Sequence, residues 1–329
     1  MAKIVTGIGM SHSPLVVTDG SVWPRFGEAD RRSSLLIDTS GKPVTFADLE
    51  QVNGDRYASE AAPENLIRQW QETRRAMQRL KDELAQERPD VLLVVGDDQM
   101  ELLDFSNMPA LAVFYGDELV ACTRHSFGSY DRNRDMFRGM GMDDRHVWPG
   151  HQDLGLHLIK SLLEHGFDVG AMREVGSQDG KGIGHAFGVI ETQLMDDQKI
   201  PLVPVFVNGY WPPNQPTPAR CYELGRAIRA AVESMPGELR VAVIASGGLS
   251  HFVTDERLDR EVLEALRTGD ERRLRDIPVH LLNSGNSEIR NWVTVAAACE
   301  DKKVAWDEYI PVYRTQVGTG CGLAFARWS

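Results

Sequence analysis

A chain of 329 residues, 42% of them hydrophobic, is long enough to bury a sizeable core in one large α/β domain or two modest ones. Its formal charge of −12 at pH 7 argues against the basic patches that nucleic acid or an anionic membrane surface would require, so neither is an expected partner. No stretch reaches the roughly 20 apolar residues that cross a bilayer, the first residues lack a secretory pattern, and Cys122, Cys221, Cys299 and Cys321 are scattered without a C-x-x-C pair; a reducing cytoplasm is the expected setting.

Lys3 to Gly9 reads as a first strand that runs into Met10-Ser11-His12-Ser13-Pro14. Two glycines precede His12, but the third glycine of a dinucleotide fingerprint is absent, so a Rossmann site is discounted. Pro14 is expected to stop an immediate helix and to fix the backbone beside His12. Residues 19–60 are polar and too long for a simple connection. With the following helix they make residues 19–88 a lid or dimer-contact insertion, expected to hold little regular structure before residue 63 and to be anchored by Trp23, Phe26, Leu35, Leu36, Phe46 and Tyr57. From Pro63 to Arg88, Leu66, Trp70, Met77, Leu80 and Leu84 recur at helical spacing.

Pro89 to Val95 is a buried strand ending in a polar cluster, Gly96-Asp97-Asp98-Gln99-Met100-Glu101, and Ala110 to Tyr115 is another strand. Residues 126–151 read as a loop whose arginines either meet an anionic substrate or pair with neighbouring acids. After a helix from Leu154 to Leu163, residues 176–188 place several glycines around Lys181 but lack the G-K-[ST] ending of a phosphate loop; His185 is the residue of interest there. Pro204 marks the strand Leu202 to Val207 as bulged or at an edge. A helix over Pro218 to Glu233 buries Cys221, Leu224, Ile228 and Val232.

Val241 to His251 is the most site-like stretch, a buried strand entering a Gly247-Gly248 turn that presents His251 either to a ligand or as a cap for the next helix. That helix carries Leu258, Val262 and Leu266. Asn286 or Ser287 is the expected N-cap of a helix from Ile289 to Cys299, with Glu288 serving either its dipole or a site. Val317 to Ala326 forms a glycine-rich turn and a last strand. No repeat or linker divides the chain, so residues 1–329 read as one α/β domain with a mostly buried central sheet and long loop insertions.

Taken together, Gly9-Met10-Ser11-His12, Gly247-Gly248-Leu249-Ser250-His251 and Ser284-Gly285-Asn286-Ser287-Glu288 resemble the class III, LigB-type extradiol ring-cleavage dioxygenases, the group of gallate, 3-O-methylgallate and protocatechuate 4,5-dioxygenases. Supporting stretches are Gly150-His151-Gln152-Asp153-Leu154, Gly182-Ile183-Gly184-His185 and Gly318-Thr319-Gly320-Cys321-Gly322. The resemblance implies an αββα-type core and a mononuclear non-haem Fe(II). By the same resemblance His12 and Glu288 match metal ligands, His251 the acid/base histidine and His185 a substrate-side histidine, with Ser250 and Thr319 as substrate contacts. One departure stands out. The family places a second metal-binding histidine after the strand ending here at Val95, where this chain offers Asp98, Gln99 or Met100.

Two readings follow. One is an Fe(II) enzyme that opens a catechol-type ring, with or without a carboxylate, using O2, His251 moving the protons; a small aromatic substrate and O2 are its partners, and a homo-oligomer is expected. The other is a member of the fold that lost iron chemistry and binds a small molecule or catalyses a non-oxidative reaction. Histidine at position 100 in place of methionine separates them.

Overall fold

The computed structural model describes residues 1–123, 133–175, 180–195 and 198–329. In chain order the elements are β1 (Lys3–Met10), α1 (Pro14–Val17), α2 (Trp23–Asp30), α3 (Phe46–Asn53), α4 (Pro63–Glu87), β2 (Val91–Gly96), β3 (Leu111–Phe114), β4 (Glu118–Val120), α5 (Arg134–Gly139), β5 (Val147–Pro149) and α6 (Gln152–Glu164). They continue with β6 (Gly170–Met172), α7 (His185–Leu194), β7 (Leu202–Val207), α8 (Pro218–Ser234), β8 (Arg240–Ser246), β9 (His251–Val253), α9 (Glu256–Thr268), α10 (Glu271–Arg275), α11 (Ile289–Ala298), β10 (Val304–Tyr313) and β11 (Thr319–Trp328).

One mixed sheet runs β10-β11-β1-β8-β2-β7-β3-β6, with β9 added to β11; β4 and β5 form a separate ribbon. The mixed α/β architecture expected from the sequence is present. Alternation along the central strands divides the core between two helical layers. Val91, Leu93 and Val95 join α6, α8, α9 and α11, whereas Leu92 and Val94 join α4 and α7. A register shift between Ile4 and Thr6 moves β1 from one face to the other, so Ile4 packs in the first layer and Ile8 and Met10 in the second. No helix among the described residues is long and apolar enough to cross a membrane.

Three local expectations fail for physical reasons. Pro14 starts a helical turn instead of stopping one, because Ser13 caps it and a proline at the first helical position forfeits no bond. Residues 19–60 contain α2 and α3, and the capping box of Thr45 with Asp48 explains the second. Pro204 lies in a central strand. Leu92 N–H donates to the Pro201 carbonyl and Asn208 N–H to the Ala110 carbonyl, so even-numbered residues of β7 face β3. Pairing with β3 ends at Val205, and the missing donor of Pro204 falls just past it. The sequence reading also missed β10, whose neighbours on the sheet are antiparallel β11 alone.

The parallel strands β1, β8 and β2 are neighbours, and their carboxyl ends open on the same edge. His12, the turn 247–251 and the turn 97–101 therefore meet there, where open α/β sheets collect ligands.

Candidate metal centre and its cavity

His12, two residues beyond β1, is 2% exposed. Its Nδ1 lies 3.1 Å from Ser246 Oγ at the end of β8, and that hydroxyl donates its proton to the Ala186 carbonyl. Ser246 therefore accepts from Nδ1–H, which leaves the Nε2 lone pair as the other face of the ring. Nε2 points at acids: Glu288 Oε1 is 3.2 Å away and Asp97 Oδ1 is 3.9 Å away. Neither His12 Nε2 nor Asp97 Oδ1 makes a hydrogen bond. Buried acceptors facing one another without donors repel, and a cation between them removes the conflict. The donor atoms of His12, Asp97 and Glu288 lie within 4.8 Å of one another, a spacing that fits a metal ion.

Glu288 closes a turn of 3-10 helix at the entrance to α11. Its Oε2 accepts from Gly248 N–H at 2.6 Å, and its Oε1 is shared between His12 and His251 Nε2, the latter at 3.1 Å. Burial works against its charge, but the neighbouring His251 ring outweighs burial and holds the carboxyl below the ordinary range. His251 Nδ1 faces the Leu249 carbonyl at 2.9 Å, so each ring nitrogen meets an acceptor. Despite burial, the Glu288 carboxylate raises its pKa well above that of free histidine. Gly285 packs flat on this ring, and any Cβ there would enter it.

The turn after β2 is built differently. Asp97 Oδ2 meets the Gln99 amide at 3.4 Å while Oδ1 stays bare toward His12. Burial, then the neighbouring Glu288, raises the Asp97 pKa. Asp98 turns away, its carboxylate accepting from Leu102 and Leu103 N–H at 3.0 and 3.1 Å. Met100 sits at φ 64° and does not line the cavity. The cluster member from this turn is thus Asp97 and not Asp98, Gln99 or Met100, because only the first residue beyond the strand reaches His12. Glu101 grips His185 Nδ1 from the same turn; burial disfavours the charged ring, but Glu101 overcomes it and lifts the His185 pKa to about 9.

The expected roles of two further residues are not supported. Ser250 and Thr319 are wholly buried and outside the cavity; Ser250 Oγ bonds Asp259 at 2.7 Å and Thr319 Oγ1 meets Thr315 at 2.8 Å. Neither Asn286 nor Ser287 caps α11: Asn286 Oδ1 accepts from His251 N–H instead, and thereby fixes the turn that carries the histidine. Residues 124–132 and 176–179 lie outside the described residues, so the loop arginines before 133 and part of the glycine loop carry no structural reading. Arg138, within the described part, faces Asp143 at 3.8 Å, and Lys181 pairs with Asp104.

Above the cluster opens a cavity of about 520 Å³. His12, His185, His251, Glu288, Glu101 and Gln99 form its polar floor, and Phe26, Phe137, Met140, Met142 and Phe252 much of its wall. Sequence reading missed Phe137, Met140 and Met142, which belong to no strand-end motif. A ring-sized apolar ligand with two polar atoms fits such a lining.

Fold and site together define an α/β protein with a buried histidine–carboxylate centre at its strand ends. A family model described as the catalytic LigB subunit of aromatic ring-opening dioxygenase matches residues 57–324, and the chain belongs to that family. His12 lies ahead of the matched stretch; Asp97, Glu101, His185, His251 and Glu288 lie within it. The chain is similar to a gallate dioxygenase of Pseudomonas putida, 39% identical over 111 residues, which cover 33% of this chain and 31% of the relative. It is also similar to a 2,3-dihydroxyphenylpropionate/2,3-dihydroxicinnamic acid 1,2-dioxygenase of Comamonas testosteroni, 30% identical over 101 residues, covering 30% of this chain and 29% of the relative. The chain thus spans just under a third of the length of each of these relatives.

Proposed function

We propose that this chain opens a catechol-type aromatic ring with O2, outside the two hydroxyls, at an Fe(II) held by His12, Asp97 and Glu288. The observation that carries the reading is the convergence of unbonded His12 Nε2 and Asp97 Oδ1 on Glu288 beneath an aromatic-lined cavity. One imidazole and two carboxylates form a harder donor set than two imidazoles and one carboxylate, yet one suited to a divalent first-row ion. Fe(II), when bound, supplies open positions for the ring oxygens and for O2.

The chain's own groups do the rest. His251, its Nδ1 committed to Leu249, exchanges protons through Nε2, taking one from a substrate hydroxyl and returning it later. Commitment of Glu288 to a cation weakens the pull that holds a proton on this ring, which brings His251 toward the range a base needs. His185, fixed by Glu101, orients the substrate, and Phe137, Met140 and Met142 keep bulk water from the reacting ring. Gallate and dihydroxyphenylpropionate, the substrates in the relatives' names, are both carboxylated catechols, which supports a carboxylated ring here.

Protein purified without oxygen is expected to bind about one Fe(II) per chain and to turn members of a catechol panel into yellow ring-opened products. Binding without turnover would favour the second reading, a family member whose pocket serves a non-oxidative role, for which the carboxylate of Asp97 in place of an imidazole is the motivating feature. Absence of both binding and turnover would overturn the iron-dependent reading.

A further inference from the structure

Among the described residues that line the cavity, Arg314 is the one arginine, and there is no lysine. It follows β10 directly and is 8% exposed. Asp30, the last residue of α2 and 5% exposed, lines the same cavity and pairs with it: Arg314 Nε donates to Oδ2 at 3.0 Å and Nη2 to Oδ1 at 3.1 Å. α2 comes this close because Gly27 lies over the Arg314 backbone, where a Cβ would be 2.7 Å from the Arg314 carbonyl oxygen. A guanidinium is planar and offers five N–H groups along two bidentate edges. Asp30 fills the Nε–Nη2 edge. The Nη1–Nη2 edge makes no hydrogen bond among the described residues, and its plane is already fixed.

We propose that Arg314 is the specificity-determining residue of the cavity, receiving a planar anionic substituent of the ring, a carboxylate, on its Nη1–Nη2 edge while Asp30 stays on the other edge as its positioning residue. The inference rests on the ring-cleavage reading for what the ring does, and on the cavity alone for how it is held. Asp30, Glu101 and Glu288 in the lining repel an anion, and the charged His185 and His251 rings are each paired with one of these acids, Glu101 and Glu288, so the open fork of Arg314 supplies the attraction that a carboxylated ring needs there. Lysine keeps the charge but loses the fork, and it is therefore the informative substitution.

The test compares gallate with pyrogallol, the same ring without its carboxylate, on the iron-loaded protein and its Arg314→Lys and Asp30→Asn variants. Binding is read by calorimetry without oxygen, and KM and kcat with oxygen. Arg314→Lys should weaken gallate binding and raise its KM by about 10- to 100-fold while pyrogallol changes by less than about threefold, with kcat nearly unmoved. Asp30→Asn should weaken gallate by a smaller factor, through loss of orientation. Equal effects on the two compounds, or none on either, would overturn the proposal. Thermal unfolding identifies a variant that fails to fold, in which case Arg314→Gln combined with Asp30→Asn, which leaves no unpaired charge, carries the same comparison. If the wild-type protein opens neither ring, the ring-cleavage reading fails, and the calorimetric difference still decides the role of Arg314.

Discussion

Two neighbouring strands end at the same site and deliver opposite kinds of order. The turn after β8 is closed from every side: Gly248 N–H holds Glu288, Leu249 holds His251, and Asn286 holds the His251 backbone. The turn after β2 is held partly by itself, through Asp98 and the Leu102 and Leu103 N–H groups, and partly through Glu101 on His185, and it leaves one oxygen of Asp97 bare. The first turn gives the site its geometry, and the second leaves it a bare carboxylate oxygen. Change is easier in the second, because fewer partners outside the turn depend on it.

The largest expected effect comes from cutting the link between the two. Glu288→Gln removes the oxygen shared by His12 and His251, and metal affinity should fall by more than about 100-fold, beyond what loss of a supporting partner costs; metal content after dialysis reads it. Gly285→Ala breaks the first turn alone. The added methyl drives the His251 ring aside, so kcat should drop by about 10- to 100-fold with a stability loss of about 1–3 kcal/mol, measured by turnover and by denaturant unfolding. Iron content near that of the wild type would confirm that the damage is confined to proton transfer.

Asp97→His sharpens the comparison from the other side by restoring the imidazole that the family resemblance implies. Fe(II) affinity should rise by about tenfold, and a competition titration against Mn(II), a harder ion, should shift toward iron; no change would mean that Asp97 is not a ligand. The smallest effect lies outside both turns. Glu191 on α7 is half-buried with one buried oxygen unbonded, and burial raises its pKa from 4.5 to about 8. Folding then favours its protonated form, so its contribution is fully present below about pH 4.5 and is lost as pH rises through about 8. Glu191→Gln should therefore flatten the decline in stability between pH 5 and 9, followed by urea unfolding.

Much of this was legible in the chain. Strands and the long helix α4 follow from apolar runs and period, which local composition controls. His12, His251, His185 and Glu288 stand out because strand-end glycines and motif order mark them. Position within a turn was not legible: Asp97 and Asp98 are the same residue type, and only the direction of the chain beyond Gly96 decides that one faces His12 and the other faces Leu102 and Leu103. Ser250 and Thr319 misled because motif membership says nothing about which way a small hydroxyl points. Arg314 and Asp30 are 284 residues apart, and no local pattern announces such a pair.

The close packing at Gly285 has a consequence for how this protein can diverge. With the His251 ring lying where a side chain would go, the rear of the centre holds no volume that mutation can fill, whereas Phe26, Phe137, Met140 and Met142 face open space. New substrates are therefore to be sought by varying those four side chains, and libraries that spare residues 247–251 and 284–288 will retain most of their folded members.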